Sequence, residues 1–299
     1  MAEKSKSTKK QHWIPQFYLK YFANERGELH AYNSKIDKFY STNTRNICEK
    51  NYLYEVPRIH AACESLDRFL QPNAIENQLS KAEHLLALPY SRLIQCCERG
   101  ELEDEDFEDG RLSVCYLLAS ITERHPYAIE DRRTSAAKIA RDYLDAGKLT
   151  KKEAERLKSH GMEGELESLA EHFAMQAAFS TTDREVAQKR IYSALCRKRL
   201  IVVEAPVGVE FVSASLPLYF IGNQASGFEF DAAYLPLSSR YAAVFAREQG
   251  AATLRKATIA EARSYNARLL LSNSVWDVAF SRAKGSLENS VRDWRISKF

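Results

Sequence analysis

The hydrophobic period of this 299-residue chain changes twice, and those two changes limit its fold more than any single motif does. In the first part, short apolar runs alternate with polar turns. "GELHAYNSKIDKFYS" sets Leu29 and Ala31 on one side of a polar turn at Asn33–Asp37 and the Phe39–Tyr40 pair on the other, with Gly27 before it, which predicts a β-hairpin. "NYLYEV" is a third short strand candidate. Over about residues 65–199 the apolar spacing becomes helical. From Leu200 onward, "LIVVEA", "EFVSASLPLYFIG" and "YLPLSSRYAAVFAR" are β-branched or aromatic runs punctuated by Pro and Gly, and they predict strands of one antiparallel sheet. The expected class is α+β: a mixed or antiparallel sheet built from N- and C-terminal segments, with a mostly helical middle.

Local signals place several boundaries. Pro15 suits the first position of a short helix running to about Phe22, because its fixed φ matches and its missing N–H is not needed there. The helical spacing of Glu76 to Leu88 meets Pro89, which predicts a kink or an end. Leu112 to Thr122 is nearly all apolar and predicts a buried central helix. Thr150 with Glu153, Thr182 with Glu185, and Thr258 with Glu261 are capping boxes, in which the threonine and the glutamate three residues later satisfy orphan N–H groups reciprocally. "SHGMEG" breaks the first of these helices from another over about Glu165 to Phe179. Lys284 to Phe299 is polar, a tail or a peripheral helix. With no repeat and no long linker, residues 12–281 are expected to form one domain between a disordered basic tail (1–11) and a C-terminal extension (282–299).

Composition excludes several function classes. An apolar content of 45% supports a sizeable core, while no run of about 18 apolar residues predicts a membrane span. Met1 to Lys10 lacks the apolar region of a signal peptide, so a cytoplasmic location is expected. The six cysteines, Cys48, Cys63, Cys96, Cys97, Cys115 and Cys196, show no CxxC spacing and read as buried thiols without a zinc signature. A net charge of +3 is not a concentrated basic face; Lys4, Lys6, Lys9 and Lys10 form a solvated tail and "ELEDEDFED" a solvated acidic loop. There is no GxxxxGK[ST], GxGxxG, GxSxG or kinase signature set, which disfavours nucleotide-driven motors, dinucleotide enzymes, α/β-hydrolases and kinases.

"HWIPQFYLKYF" resembles the HxxPxFYLxxF opening of the bacterial Domain of Unknown Function 4238 (DUF4238) family. "NICEKNYLYE", "IENQLSKAE", the Arg-x-Pro of "TERHP", "FVSASLP", "LPLSSRYAAVF" and "NARLLLSNSVWDVAFS" follow in the family's order, from His12 to about Ser281. The family's FxxSDxP element carries an aspartate after a serine, whereas this chain has Ala214 and Ser215 there. A hydroxyl neither binds a divalent cation strongly nor accepts a proton readily, so any activity that needs that aspartate is not expected to carry over.

Within this pattern, six polar residues are candidates. His12, ahead of a predicted helix start, can be a general base or phosphate ligand, or can bond a backbone carbonyl. Glu76 and Glu83, two helical turns apart, project from nearly one face and can act as acid and base or hold Mg²⁺ or Mn²⁺; the alternative is a solvated face with Glu83 paired to a basic residue. Arg124 is a bidentate anion anchor or a helix C-terminal cap. Arg190 belongs to the densest basic region of the folded part, with Arg184, Lys189, Arg197, Lys198 and Arg199, a nucleic-acid groove or a solvated helix. Ser215 marks the loop beside these groups.

Two functional expectations follow. The first is a hydrolase acting on an anionic phosphodiester, in concrete form a toxin or defence nuclease, with His12, Glu76, Glu83 and Arg124 catalytic and Ser215 and Arg190 binding. The second is a non-catalytic module that binds protein or nucleic acid through a degenerate site.

Overall fold

In the computed structural model, the described residues are 10–54, 73–145, 155, 159, 191–222, 230–272 and 276–297. They divide into two compact units interleaved in sequence: residues 1–12, 49–82 and 126–186 form one, and residues 13–48, 83–125 and 187–299 the other. The predicted capping boxes at Thr150 and Thr182, the helix over about Glu165 to Phe179, Arg190, Cys63 and the tail before Lys10 lie outside the described residues.

The first unit contains a two-stranded antiparallel ribbon, β1 (Lys10–His12) paired with β4 (Glu49–Asn51) so that His12 stands opposite Glu49. The predicted "NYLYEV" strand is therefore displaced towards the N-terminus. Tyr52 explains the shift, because its φ of 55° turns the chain out of extended conformation directly after Asn51. The fully buried Gln11 accepts from the Tyr54 backbone N–H through Oε1 at 2.8 Å, and Tyr54 Oη donates to the His12 carbonyl at 2.9 Å. Arg133 Nη2 donates to the carbonyls of Tyr52 and Leu53 at 3.2 and 2.6 Å, which satisfies the turn.

In the second unit, α1 (Gln16–Lys20) is shorter than predicted. Pro15 is its N-cap in extended conformation rather than its first helical residue, and the Pro15 carbonyl accepts from the Tyr18 and Leu19 N–H groups. The predicted hairpin is β2 (Glu28–Asn33) with β3 (Lys38–Asn43), and β2 continues into a four-stranded sheet in the order β3-β2-β11-β6, with β6 at Ser213–Ala214 and β11 at Val278–Ser281. This is the sheet built from both ends of the chain. The other C-terminal strands do not join it. They form a five-stranded sheet of β10 (Thr253–Lys256), β5 (Arg199–Glu204), β9 (Tyr241–Ala246), β8 (Ala232–Pro236) and β7 (Tyr219–Ile221), antiparallel except for the β10–β5 pair. The single antiparallel sheet expected from the C-terminal runs is thus corrected to two sheets. Alternation reports which face of a strand is buried, not which neighbour it pairs with.

The long helix α2 (Ala74–Arg99) runs through Pro89 instead of ending there. Pro89 removes one N–H donor, but Leu85, four residues earlier, is 74% exposed to water, and Ser113 Oγ supplies a donor to the adjacent Leu86 carbonyl at 3.1 Å. That serine lies on α3 (Glu105–Arg124), capped by the Asp104 carboxylate on Asp106 N–H. The helices approach closely at Gly110, where an added Cβ would fall 2.8 Å from the Pro89 carbonyl oxygen. α3 ends at Arg124 because Pro126, first residue of α4 (Pro126–Asp145), forces His125 into extended conformation, ψ 140°.

Both bonds of the third predicted capping box are present, from Thr258 N–H to Glu261 Oε2 at 2.8 Å and from Glu261 N–H to Thr258 Oγ1 at 3.2 Å, opening α5 (Ile259–Ser272). The C-terminal segment is a helix, α6 (Lys284–Ile296), that buries Leu287, Val291 and Trp294 from one face. These join Val203, Phe211, Tyr234, Leu269, Trp276 and Ala279 in one core cluster. Among the described residues no helix is long and apolar enough to cross a membrane.

Candidate functional site

The opening motif becomes an internal frame. Trp13, Ile14, Tyr18, Leu19 and Phe22 are all buried, and Phe22 meets Phe280 of β11 edge to face at 5.9 Å. Each polar tip among them finds an interior acceptor. Trp13 Nε1 donates to the Ser215 carbonyl at 2.9 Å; Tyr18 Oη donates to the Pro236 carbonyl at 2.7 Å and lies 3.0 Å from Ser213 Oγ. Amphipathic aromatic side chains suit this work, since one end fills space while the other satisfies backbone.

Ser215 is fully buried. Its N–H donates to the Val278 carbonyl at 2.7 Å, and its Oγ accepts from Asp277 N–H at 2.9 Å and Val278 N–H at 3.4 Å. The position thus supplies an acceptor that closes the start of β11. Asp277 carries an ion pair with Lys35 at 2.8 Å on the solvent side. His125 packs edge to face on Trp13 at 6.2 Å and is 4% exposed. Burial pushes its pKa down to about 4; Asp277 opposes that shift and Lys35 adds to it, so the imidazole is neutral at physiological pH.

Glu83 and Arg124, both in the second unit, do meet: Arg124 Nη2 donates to Glu83 Oε1 at 2.5 Å. The Arg124 side chain is 4% exposed, so the pair is neutralised within the protein. The paired alternative for Glu83 is the one observed. Glu76 is the acidic residue in the first turn of α2 and belongs with His12 to the first unit. His12 is the last residue of β1. Arg190 is outside the described residues. Among the described residues no group of three or more His, Cys, Asp and Glu side chains is arranged to hold a metal ion.

Sequence reasoning missed a cationic cleft of about 690 Å³ in the second unit. Lys20 at the end of α1, Arg26 in the turn before β2 and Arg45 in the 3-10 turn Thr44–Asn46 line it; Glu25 is the one carboxylate among its described lining residues. Three local devices hold these cations together. Asn24 Oδ1 accepts from the N–H groups of Arg26 and Glu28 at 3.0 and 2.9 Å, and Gly27 takes φ 75° to complete the turn. Asn43 Oδ1 accepts from Arg45 N–H at 3.0 Å, fixing the 3-10 turn. Gln16 Nε2 donates to the Thr44 carbonyl at 2.8 Å, and Thr44 N–H to the Gly27 carbonyl at 3.1 Å, which draws α1, the turn and the end of β3 to one place. The only available signal was the hairpin itself, which returns the chain from Lys38 towards Gly27.

No curated protein and no solved structure matches this chain. The family model described as a protein of unknown function, DUF4238, matches residues 10–284 of the 299, and the chain belongs to that family.

Proposed function

We propose that this chain is a recognition module for an anionic, phosphate-bearing polymer, nucleic acid, in a cytoplasmic setting. The observation that carries the reading is the cleft of Lys20, Arg26 and Arg45, in which Glu25 is the one carboxylate among the described lining residues. Guanidinium groups bind phosphate oxygens in a bidentate manner and ammonium groups as point charges. Such contacts carry little sequence information, so binding would be broad and sensitive to salt.

The test is fluorescence anisotropy with labelled single-stranded RNA, single-stranded DNA and duplex DNA at about 50 to 200 mM salt. Three phosphate contacts predict a slope of log K against log salt of roughly −2 to −3. Lys20→Glu with Arg45→Glu should weaken binding at least ~10-fold, the size of one to two lost contacts in a charged cleft. Affinity indifferent to both charge reversals contradicts the reading.

A phosphodiester hydrolase, in the form of a toxin or defence nuclease, is the second reading, and one observation favours it. His125 holds a neutral imidazole packed edge to face on the buried Trp13 and within electrostatic reach of the more exposed Asp277–Lys35 pair. Here His125 takes the role that the sequence offered to His12, and Mg²⁺ or Mn²⁺ is the cofactor to supply. Purified protein is incubated with DNA, RNA and tRNA, with and without either ion. Cleavage lost in His125→Ala or His12→Ala supports this reading; no cleavage, or cleavage untouched by either change, overturns it.

A further inference from the structure

A second cleft, of about 540 Å³, opens beside the N-terminal end of α3 and shares no lining residue with the cleft of Lys20, Arg26 and Arg45; it contains a sulfur. Cys196 closes the helical residues 191–196, is partly exposed and lines the cleft with Arg111, Arg197 and Lys198; Glu103, Asp104 and Glu108 supply the acidic side. Arg111 is fixed by a two-point ion pair with Glu108, at 2.7 and 2.5 Å, which leaves Nη1 to donate to the Cys196 carbonyl at 3.2 Å. Cys115 follows Arg111 by one turn on the same face of α3 and is fully buried. The Cys196 thiol is within side-chain hydrogen-bonding reach of the Cys115 thiol and of Tyr192.

We propose that Cys196 and Cys115 are a peroxide-responsive thiol pair, in which Cys196 reacts at the cleft and Cys115 resolves it to an intramolecular disulfide. The Cys196 thiolate attacks one oxygen of a hydroperoxide. The O–O bond breaks, sulfur keeps that oxygen as sulfenic acid, and the other oxygen leaves, protonated, as water or an alcohol. The Cys115 sulfur then attacks the Cys196 sulfur; the S–O bond breaks and the hydroxyl leaves as water with the Cys115 proton. For hydrogen peroxide, two thiols are oxidised by two electrons to one disulfide, and one peroxide is reduced to two waters.

The surroundings separate this cysteine from the other described ones. Hydrogen bonds from Cys115 and from Tyr192, with the Arg111 cation nearby, outweigh burial and Glu108 and lower the Cys196 pKa to about 7, so much of it is thiolate at neutral pH. Burial drives the thiols of Cys48 and Cys97 the other way, and Cys96, also fully buried, is raised as well. A thiolate that is both ionised and reachable, with a resolving thiol against it, is the arrangement peroxide chemistry selects.

The full-length chain is treated with hydrogen peroxide, the remaining thiols are alkylated, and every cysteine is followed by peptide mass spectrometry with a sulfenic-acid-trapping dione present. The expected product is a Cys115–Cys196 disulfide. Cys115→Ser should instead accumulate the trapped sulfenic acid on Cys196, and Cys196→Ser should lower the oxidation of Cys115 at least ~10-fold, following its loss of a thiolate partner. Alkylation of Cys196 in untreated protein should show a pH midpoint near 7. Oxidation of another cysteine at an equal rate, a midpoint at an ordinary thiol value, or no trapped species in Cys115→Ser overturns the proposal.

Discussion

The frame around Trp13 and the cleft around Lys20 lie within the same stretch of chain and use polar groups in opposite ways. In the frame, Trp13, Tyr18, Ser215 and Arg124 all spend their hydrogen-bonding capacity on the protein, on the Ser215 carbonyl, the Pro236 carbonyl, the β11 backbone and Glu83 respectively. In the cleft, Lys20 and Arg26 stand exposed, and Glu25 is the one carboxylate among the described lining residues. Polar residues set among apolar ones in the motif serve the cost of burying backbone, because an interior N–H or C=O without a partner is costly. The charges available to a ligand sit where turn chemistry gathers them, with no motif to announce them.

That contrast is exposed to attack first at Glu83. Glu83→Ala leaves the Arg124 guanidinium buried without this carboxylate, and chemical denaturation should show a loss of about 3 kcal/mol. A loss below about 0.5 kcal/mol, the range of ordinary surface changes, would place the pair outside the frame.

Acid should weaken the frame through His125. Its folded pKa, about 4, lies below the ordinary 6.5, so the unfolded chain binds the proton more readily between those values. The contribution is fully present above about pH 6.5 and disappears as pH falls towards 4, by roughly 3 kcal/mol at most. Unfolding free energies measured at pH 7.5 and 4.5 should converge more in His125→Phe than in the parent chain. An equal pH slope in both would remove His125 from the account.

Ser215→Ala takes the shared acceptor from Asp277 and Val278 N–H groups, and about 1 to 2 kcal/mol of stability should go with it. Because the Oγ accepts rather than reacts, no loss of ligand affinity beyond the fraction unfolded should accompany it.

How much of this was legible follows the same division. The hairpin was readable because its alternation and its Asn33–Asp37 turn are contiguous in sequence, and the Thr258–Glu261 box because both partners lie within one turn. The pairing of β2 with β11, across about 250 residues, and of β6 with β11, across about 65 residues, rather than with the other C-terminal strands is decided by core packing, which local period does not encode. β10, with the sequence "TLRK", was missed because it is a short edge strand with little apolar alternation. Pro89 misled for a specific reason: its missing bond falls on the wet side of α2. Of the candidate residues, Glu83 was offered a basic partner without Arg124 being named as that partner, and the burial of Ser215, directly after the two-residue β6, has no local signal in the sequence. Lys20, Arg26 and Arg45 escaped because each alone is an ordinary surface cation.

The smallest expected stability effect belongs to the cleft, and it carries the most direct test. Lys20→Glu and Arg45→Glu should each change the unfolding free energy by no more than about 0.5 kcal/mol. In the same samples, anisotropy with single-stranded RNA at about 50 mM salt should show affinity falling at least ~10-fold for the double variant, with a shallower salt slope. Ser215→Ala, corrected for its folded fraction, should bind as the parent does. Binding that survives the cleft reversals but fails in Ser215→Ala would contradict the division between frame and cleft.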